Sequence, residues 1–146
     1  MPRNTATSSK RLPYQDASLD VDSRVRDLLG RMTIEEKVRQ MGSARASRLT
    51  YRGKPSKKAI REAFGRMGIG SVEDARDAPR TNAETINAIQ KYLVEKTRLG
   101  IPVLVHAECV HGHLSKGATV FPDSIAMAST WNPELVNRMS AAAARE

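Results

Sequence analysis

Residues 97–106 read TRLGIPVLVH and contain the clearest strand pattern of the chain. Gly100 suits the left-handed position that follows a helix, and Pro102 forbids helical continuation. Residues 101–106 should therefore form an extended strand, and their mostly apolar composition predicts burial on both faces. A helix, a glycine and then an apolar strand are typical of a parallel sheet covered by helices, so the sequence predicts an α/β fold.

Two pairs of residues upstream of this strand have the spacing of a capping box, in which two side chains satisfy free amides at a helix start. Thr33 and Glu36 predict one helix. Thr81 and Glu84 predict the helix that leads into residues 98–100. Apolar residues at helical spacing follow both pairs and support both predictions.

Three further helices are predicted where a capping residue precedes apolar residues at helical spacing. They cover residues 21–32 with Asp20 or Ser18 as the cap, residues 56–67 with Ser56 as the cap and Gly68 as the stop, and the segment from Asn132 to the C-terminus. Between these elements, residues 44–55 are predicted to be a polar loop. Residues 69–72 are predicted to be a short buried strand, the first of the sheet.

The composition is that of a soluble globular chain too short for more than one domain, with 146 residues, 40% of them hydrophobic and 27% charged. Residues 1–10 contain no apolar run that could serve as a secretory signal, and no uncharged apolar run approaches about 18 residues. We therefore expect a cytoplasmic protein without membrane association. Residues 1–14 are expected to be a disordered tail and residues 15–146 the folded part.

The formal net charge is +8, and residues 45–66 are rich in cations with Glu62 as the one acid. Clustered cations could bind nucleic acid by releasing counterions. Only Tyr51 and Phe64 provide aromatic side chains there, and no nucleic-acid-binding motif surrounds them. We therefore favour a solvated loop and helix face, and expect no nucleic-acid partner.

All three histidines lie in the segment HAECVHGH, residues 106–113, together with Glu108. One explanation for this density is a metal site with imidazole and carboxylate ligands. A zinc nucleobase deaminase would need a later pair of cysteines, whereas Cys109 is the one cysteine of the chain. A more general site of histidine and glutamate ligands stays open at this point.

A second explanation is nucleophilic catalysis by Cys109 with a neighbouring histidine. Adjacent residues of an extended segment point to opposite faces, which argues against this pairing. Cys109 is instead predicted to be a small core residue, and His106 and His113 to be packing or loop residues bonded to backbone groups. A lone cysteine forms no intramolecular disulfide, which fits a reducing compartment.

A third explanation is a family resemblance. The run TRLGIPVLVHAECVHGH at residues 97–113, KGATVFP at 116–122 and STWNPELV at 129–136 closely resemble glycoside hydrolase family 3, the family of β-glucosidases and β-xylosidases. The likeness covers most of residues 12–146 and is faint at 43–80. It implies a partial (β/α)8 barrel of the TIM type. Because a closed barrel takes about 250 residues, only the first two or three strand-helix units are expected, preceded by N-terminal helices and truncated at the C-terminus.

The resemblance also implies a role for Glu108. In the family, an Asp or Glu at this place, separated by two residues from a His-Gly pair, binds hydroxyls of the sugar in subsite −1. A carboxylate at the end of a barrel strand can accept two such hydroxyls. His111 and Gly112 are expected to order the loop, Gly112 by permitting a tight turn. A solvated loop acid is the plain alternative for Glu108.

The implied function is that of a retaining β-glycosidase, which cleaves O-glycosidic bonds at the non-reducing end of β-glucosides or β-xylosides. In the family both catalytic carboxylates lie further downstream, so no catalytic residue is assigned here and the chain alone should be inactive. No metal or cofactor is expected. The expected partner is a small-molecule or oligosaccharide β-glycoside, and the isolated fragment is expected to be marginally stable or to self-associate. The alternative is a non-catalytic basic fragment or interaction protein derived from the family.

Overall fold

The computed structural model describes residues 11–146. Its helices are α1 Val21–Arg31, α2 Ile34–Gln40, α3 Lys57–Phe64, α4 Pro79–Lys96, α5 Ser124–Ala128 and α6 Pro133–Ala143. Its strands are β1 Ser43–Arg45, β2 Thr50–Tyr51, β3 Lys54–Pro55, β4 Ser71–Glu73 and β5 Leu104–His106. Strands β1, β4 and β5 form a parallel sheet in the order β1-β4-β5, and β2 pairs with β3 as a short hairpin. The predicted α/β class is confirmed.

The N-terminal helices begin where their capping residues predict. Asp20 accepts a hydrogen bond from the Ser23 amide at the start of α1, and Thr33 with Glu36 forms the capping box of α2. Pro13–Gln15 form a 3-10 turn, and the Tyr14 hydroxyl donates to the Leu99 carbonyl. Tyr14 thus contacts the segment before β5, and residues 1–10 of the expected tail lie outside the described residues.

The sheet corrects the prediction for residues 44–55. Instead of a loop, this stretch contributes β1, a 3-10 turn at Ala46–Leu49 and the β2–β3 hairpin. The predicted strand at 69–72 becomes β4, shifted to Ser71–Glu73, and it is the second strand of the sheet. The three residues of β1 are Ser, Ala and Arg, which carry no strand pattern, so this strand depends on its pairing with β4.

The start of α4 also differs from its prediction. The capping box of Thr81 and Glu84 does not form, because α4 begins at Pro79 and Thr81 lies inside it. Proline fits the first helical turn, where its missing N–H is not needed, and so the helix starts earlier. Likewise, α3 ends before Gly65, whose φ is 53°, and does not reach the predicted stop at Gly68.

The core lies between one face of the sheet and helices α3 and α4. Its fully buried members include Phe64, Ile60, Ile89, Leu93 and Val72. Strand β5 is shorter than predicted and is not buried on both faces, since its Leu104 is 71% exposed. This strand is the edge of the sheet, and no other strand of the described residues pairs with its outer side.

Two side chains, Gln90 in α4 and Arg98 after its end, fix the segment before β5. The Gln90 amide both donates to the Val103 carbonyl, at 2.8 Å, and accepts from the Val103 N–H, at 3.0 Å. The Arg98 guanidinium binds the Glu36 carboxylate at 2.8 Å and the Arg31 carbonyl at 2.7 Å. Polar side chains thereby tie α4 to β5 and to the N-terminal helices. No helix in residues 11–146 is long and apolar enough to cross a membrane.

Candidate functional site

Charged side chains gather at the carboxyl edge of the parallel sheet. The register pairs Arg45 with Glu73 and Glu73 with His106, so the last residues of β1, β4 and β5 form one row. Register partners project from the same face, and the loops that follow the three strands leave from this edge. Glu108 lies two residues beyond the end of β5 and therefore belongs to the same edge.

Four of these side chains form a continuous chain of ion pairs. Glu73 Oε2 forms an ion pair with Arg45 Nε at 3.0 Å, and Glu73 Oε1 accepts a hydrogen bond from Arg76 Nη2. The same Arg76 nitrogen reaches Glu108 Oε2 at 2.9 Å. Hydrogen bonds to Glu108 and then to Glu73 raise the pKa of Arg76 above its ordinary value. Two cations and two anions alternate along this chain, so the cluster carries no net charge.

Glu108 is more open to solvent than Glu73 and Arg76, with 62% of its side chain exposed, as is Arg45. Its Oε2 is bound by Arg76, while Oε1 accepts no hydrogen bond from any residue of the described chain. The carboxylate therefore has a fixed side and a free side. The free side can accept hydrogen bonds from hydroxyl groups of a ligand at the sheet edge.

A second cluster surrounds Asp74, the residue directly after β4. Its Oδ2 lies 2.9 Å from His113 Nε2, accepts from Ser115 Oγ at 3.0 Å and from Asn82 Nδ2 at 3.2 Å. Asp74 is buried, and its Oδ1 has no partner among the described residues. Burial raises the pKa of this carboxyl, but the hydrogen bonds from His113 and Ser115 outweigh it, so the pKa is lowered overall.

The arrangement of Asp74, His113 and Ser115 is not that of a nucleophilic triad. In a hydrolase triad the carboxylate and the serine contact opposite nitrogens of the imidazole. Here Ser115 Oγ lies 2.9 Å from His113 Nε2, the same nitrogen that contacts Asp74. The cluster instead ties the loop after β5 to the end of β4.

The loop at His111 and Gly112 is held by its backbone. The His111 carbonyl accepts from the Phe121 amide at 2.8 Å. Gly112 is buried with a φ of 80°, and a Cβ atom there would lie 2.6 Å from the Thr119 carbonyl oxygen. The turn therefore requires glycine, because both the backbone conformation and the close approach exclude a side chain.

Several sequence-based expectations for this region need correction. Cys109 was expected in the core and is exposed. His113 was expected to bond to backbone groups and instead contacts the Asp74 and Ser115 side chains. Among residues 11–146 no three His, Cys, Asp or Glu side chains are grouped so as to hold a metal ion.

Sequence reasoning found Glu108 but not the residues that surround it. Arg45, Glu73, Asp74 and Arg76 lie where the family resemblance is faint, and Ser115 falls between its motifs. One general rule could have identified Glu73 and Asp74, because residues at the carboxyl ends of parallel strands converge on one edge. Applying that rule requires the limits of β4, and the predicted strand ended one residue too early.

Comparison with known proteins gives relatives that carry glycosidase names. A putative beta-xylosidase of Formosa agariphila is 35% identical over 151 residues, covering 99% of this chain and 19% of that protein. Beta-glucosidase C of Emericella nidulans is 33% identical over 144 residues, covering 91% of this chain and 23% of that protein. A periplasmic beta-glucosidase of Salmonella typhimurium is 31% identical over 126 residues, covering 86% of this chain and 14% of that protein. The chain thus spans about a fifth of the length of the first two relatives.

The family model described as the glycosyl hydrolase family 3 N terminal domain matches residues 33–146. The match begins at the capping box of α2 and contains the whole parallel sheet with both side-chain clusters. It covers most of the chain and agrees with the names of the relatives. The parallel sheet, the motifs around Glu108 and this match together show that the chain belongs to glycosyl hydrolase family 3.

Proposed function

We propose that this chain forms the first strand-helix units of a (β/α)8 barrel in a retaining β-glycosidase. The enzyme would cleave O-glycosidic bonds at the non-reducing end of β-glucosides or β-xylosides. Its two catalytic carboxylates would come from a downstream part of the barrel and from a later segment. The family membership and the named relatives support this reaction class. The coverage of about a fifth of each relative supports catalytic carboxylates that lie outside this chain.

One observation supports the role that we propose for this chain in the enzyme. Glu108 lies at the carboxyl edge of a parallel sheet, where substrates bind in barrel enzymes, and one of its oxygens is free. A carboxylate accepts hydrogen bonds from hydroxyl groups, and these charged bonds are stronger than neutral ones. Glu108 would therefore bind hydroxyls of the sugar in subsite −1 and orient the ring toward the catalytic carboxylates.

Replacing Glu108 by glutamine tests this role. The change keeps the size of the side chain and removes its charge. Because a hydrogen bond to a charged group contributes about 1.5 to 3 kcal/mol, kcat/KM should fall roughly 10- to 150-fold for each such bond. The measurement is kcat/KM on an aryl β-glycoside with its hydroxyls intact and on the matching deoxy sugar, in the protein extended along its reading frame beyond Glu146. On the deoxy sugar, kcat/KM should fall much less.

The controls for this experiment come from the same chain. Glu84 forms an exposed ion pair with Arg80 on α4, and Glu84→Gln should leave kcat/KM unchanged. Residues 1–146 alone should release no nitrophenol above background, because they supply no catalytic pair. A reading frame that stops at Glu146 would contradict the proposal and favour the non-catalytic alternative. Equal losses on both sugars would contradict the assignment of Glu108.

The isolated chain should self-associate. Trp131 is 92% exposed, Leu104 lies on the open edge strand, and Ile125 and Val120 are also exposed. Open strand edges beside apolar side chains favour pairing with another chain. Light scattering coupled to gel filtration should therefore show species above 16.1 kDa, and Leu104→Lys on the edge should reduce them. A monodisperse monomer with one sharp thermal transition would show that the chain closes its own core.

A further inference from the structure

We propose that Arg76 is a positioning residue that holds the Glu108 carboxylate in place, a role that rests on the sugar-binding function proposed for Glu108. Arg76 lies in the loop after β4, and Glu108 lies in the loop after β5. Their contact joins two neighbouring loops at the carboxyl edge of the sheet. Arg76 would touch no substrate and would act only through Glu108.

The contact is defined by one nitrogen with two acceptors. Arg76 Nη2 donates to Glu108 Oε2 at 2.9 Å and also to Glu73 Oε1. Glu73 belongs to β4 and is mostly buried, and its second oxygen is bound by Arg45. The guanidinium is therefore fixed against the sheet before it meets Glu108. An arginine that is already ordered loses less conformational entropy when it binds a further carboxylate.

The backbone of Arg76 is fixed as well. Its φ of 51° places it in the left-handed region, which a residue with a side chain adopts at a cost. Its N–H contacts Asp74 Oδ2 at 3.4 Å, and Asp74 is buried and held by His113 and Ser115. The turn at Arg76 thus depends on the cluster that also ties down the loop after β5. Both ends of the contact are anchored to the same framework.

This anchoring has a consequence for an exposed side chain such as Glu108. In a solvated loop, a glutamate samples several rotamers and presents its carboxylate in many directions. A fixed bond to Oε2 selects one arrangement and leaves Oε1 directed to a ligand. Binding groups held in their productive geometry avoid the cost of ordering when the ligand arrives. Arg76 therefore fixes the orientation of the Glu108 carboxylate, which the loop of Glu108 does not fix by itself.

The lone cysteine allows a direct test in the 146-residue chain. Cys109 is exposed and adjacent to Glu108, so a nitroxide spin label attached to it reports the motion of this loop by electron paramagnetic resonance. The label is specific without further mutation, and all variants are measured at one low protein concentration so that self-association does not differ between them. The variants are Arg76→Met, which keeps the length and removes the charge, Arg76→Lys, and Arg80→Met. Arg80 forms an exposed pair with Glu84 and is the matched control.

Arg76→Met should replace the slow component of the spectrum by a fast one, whereas Arg80→Met should leave the spectrum unchanged. Arg76→Lys should retain part of the slow component, because a lysine can bind one of the two carboxylates. Glu108→Gln should also loosen the loop, and the double variant with Arg76→Met should be no looser than Glu108→Gln alone. A wild-type spectrum for Arg76→Met, or added motion in the double variant, would overturn the proposal.

The corresponding kinetic experiment separates this proposal from the proposed function. In the extended, active protein, Arg76→Met should lower kcat/KM by about 10-fold on the intact sugar and much less on the deoxy sugar, because the charge-assisted contact of Glu108 to the substrate is weakened. Adding it to Glu108→Gln should cause no further loss. If Glu108→Gln itself leaves kcat/KM unchanged, the sugar-binding function fails, while the spin-label result still decides whether Arg76 holds Glu108.

Discussion

Replacing Gly70 by alanine should abolish the native fold of this chain. Gly70 directly precedes β4, and an alanine Cβ atom there would lie 1.8 Å from the Gln40 carbonyl oxygen and 2.6 Å from its carbonyl carbon. Both atoms belong to the backbone, so no side-chain rotation can relieve the overlap. Either the end of α2 or the start of β4 must move, and we expect a loss of at least about 4 kcal/mol in the free energy of unfolding.

The matched control for Gly70→Ala is Gly30→Ala. Gly30 lies inside α1, and an added Cβ atom would meet nothing within 4 Å. Alanine favours a helix interior over glycine, so this variant should be up to about 1 kcal/mol more stable than the wild type. Circular dichroism and urea unfolding at one fixed protein concentration measure both variants. If Gly70→Ala unfolds at the same urea concentration as the wild type, α2 and β4 do not approach each other so closely.

Local contacts in this fold were predictable from the sequence, and contacts between distant segments were not. Helix starts at Asp20, Thr33, Ser56 and Asn132 were predictable because a capping side chain bonds to an amide two or three residues away. The pairing of β1 with β4 was not, since it brings residue 43 beside residue 71 and depends on packing between distant segments. Local chemistry thus decides where helices begin, while tertiary contacts decide where short strands form.

The candidate site shows the same division. Glu108 could be named as a candidate from the sequence because it follows a predicted apolar strand and belongs to a motif that resembles the family. Arg76 was not predictable, because its role depends on a left-handed backbone conformation that arginine adopts only rarely. Two local patterns can also compete. The capping box at Thr81 was plausible on spacing alone, but Pro79 fitted the first helical turn two residues earlier.

Replacing Glu36 by alanine should lower the free energy of unfolding by about 2 to 3 kcal/mol near neutral pH. The Glu36 side chain is 4% exposed and binds Arg98, and it also closes the capping box of α2. Alanine leaves the Arg98 guanidinium and the Thr33 amide without this partner. Because 45% of the Arg98 side chain is exposed, it can regain water, which keeps the loss below that of a pair in which both charges are buried.

The Glu36–Arg98 contact should also make stability depend on acidity. The hydrogen bond from Arg98 lowers the pKa of Glu36 below its ordinary value of 4.5, against the opposing effect of burial. A carboxyl group with a lowered folded-state pKa contributes stability that is fully present above its unfolded-state pKa. That stability is lost as the pH falls through the folded-state pKa. The wild type should therefore exceed Glu36→Gln in stability most clearly near neutral pH, and the difference should shrink as the pH falls below 4.5.

Urea unfolding of the wild type and Glu36→Gln between about pH 7 and about pH 3 measures this difference. Glutamine keeps an oxygen for the Thr33 amide, so the comparison isolates the charge on Glu36 from its capping bond. Glu84→Gln provides the control, because its pair with Arg80 is exposed and should contribute less than about 1 kcal/mol at any pH. A difference between wild type and Glu36→Gln that stays constant down to about pH 3 would show that the ionised carboxylate is not the stabilising form. Convergence of the two curves would instead identify the Glu36–Arg98 pair as the charged contact that holds the N-terminal helices to the segment before β5.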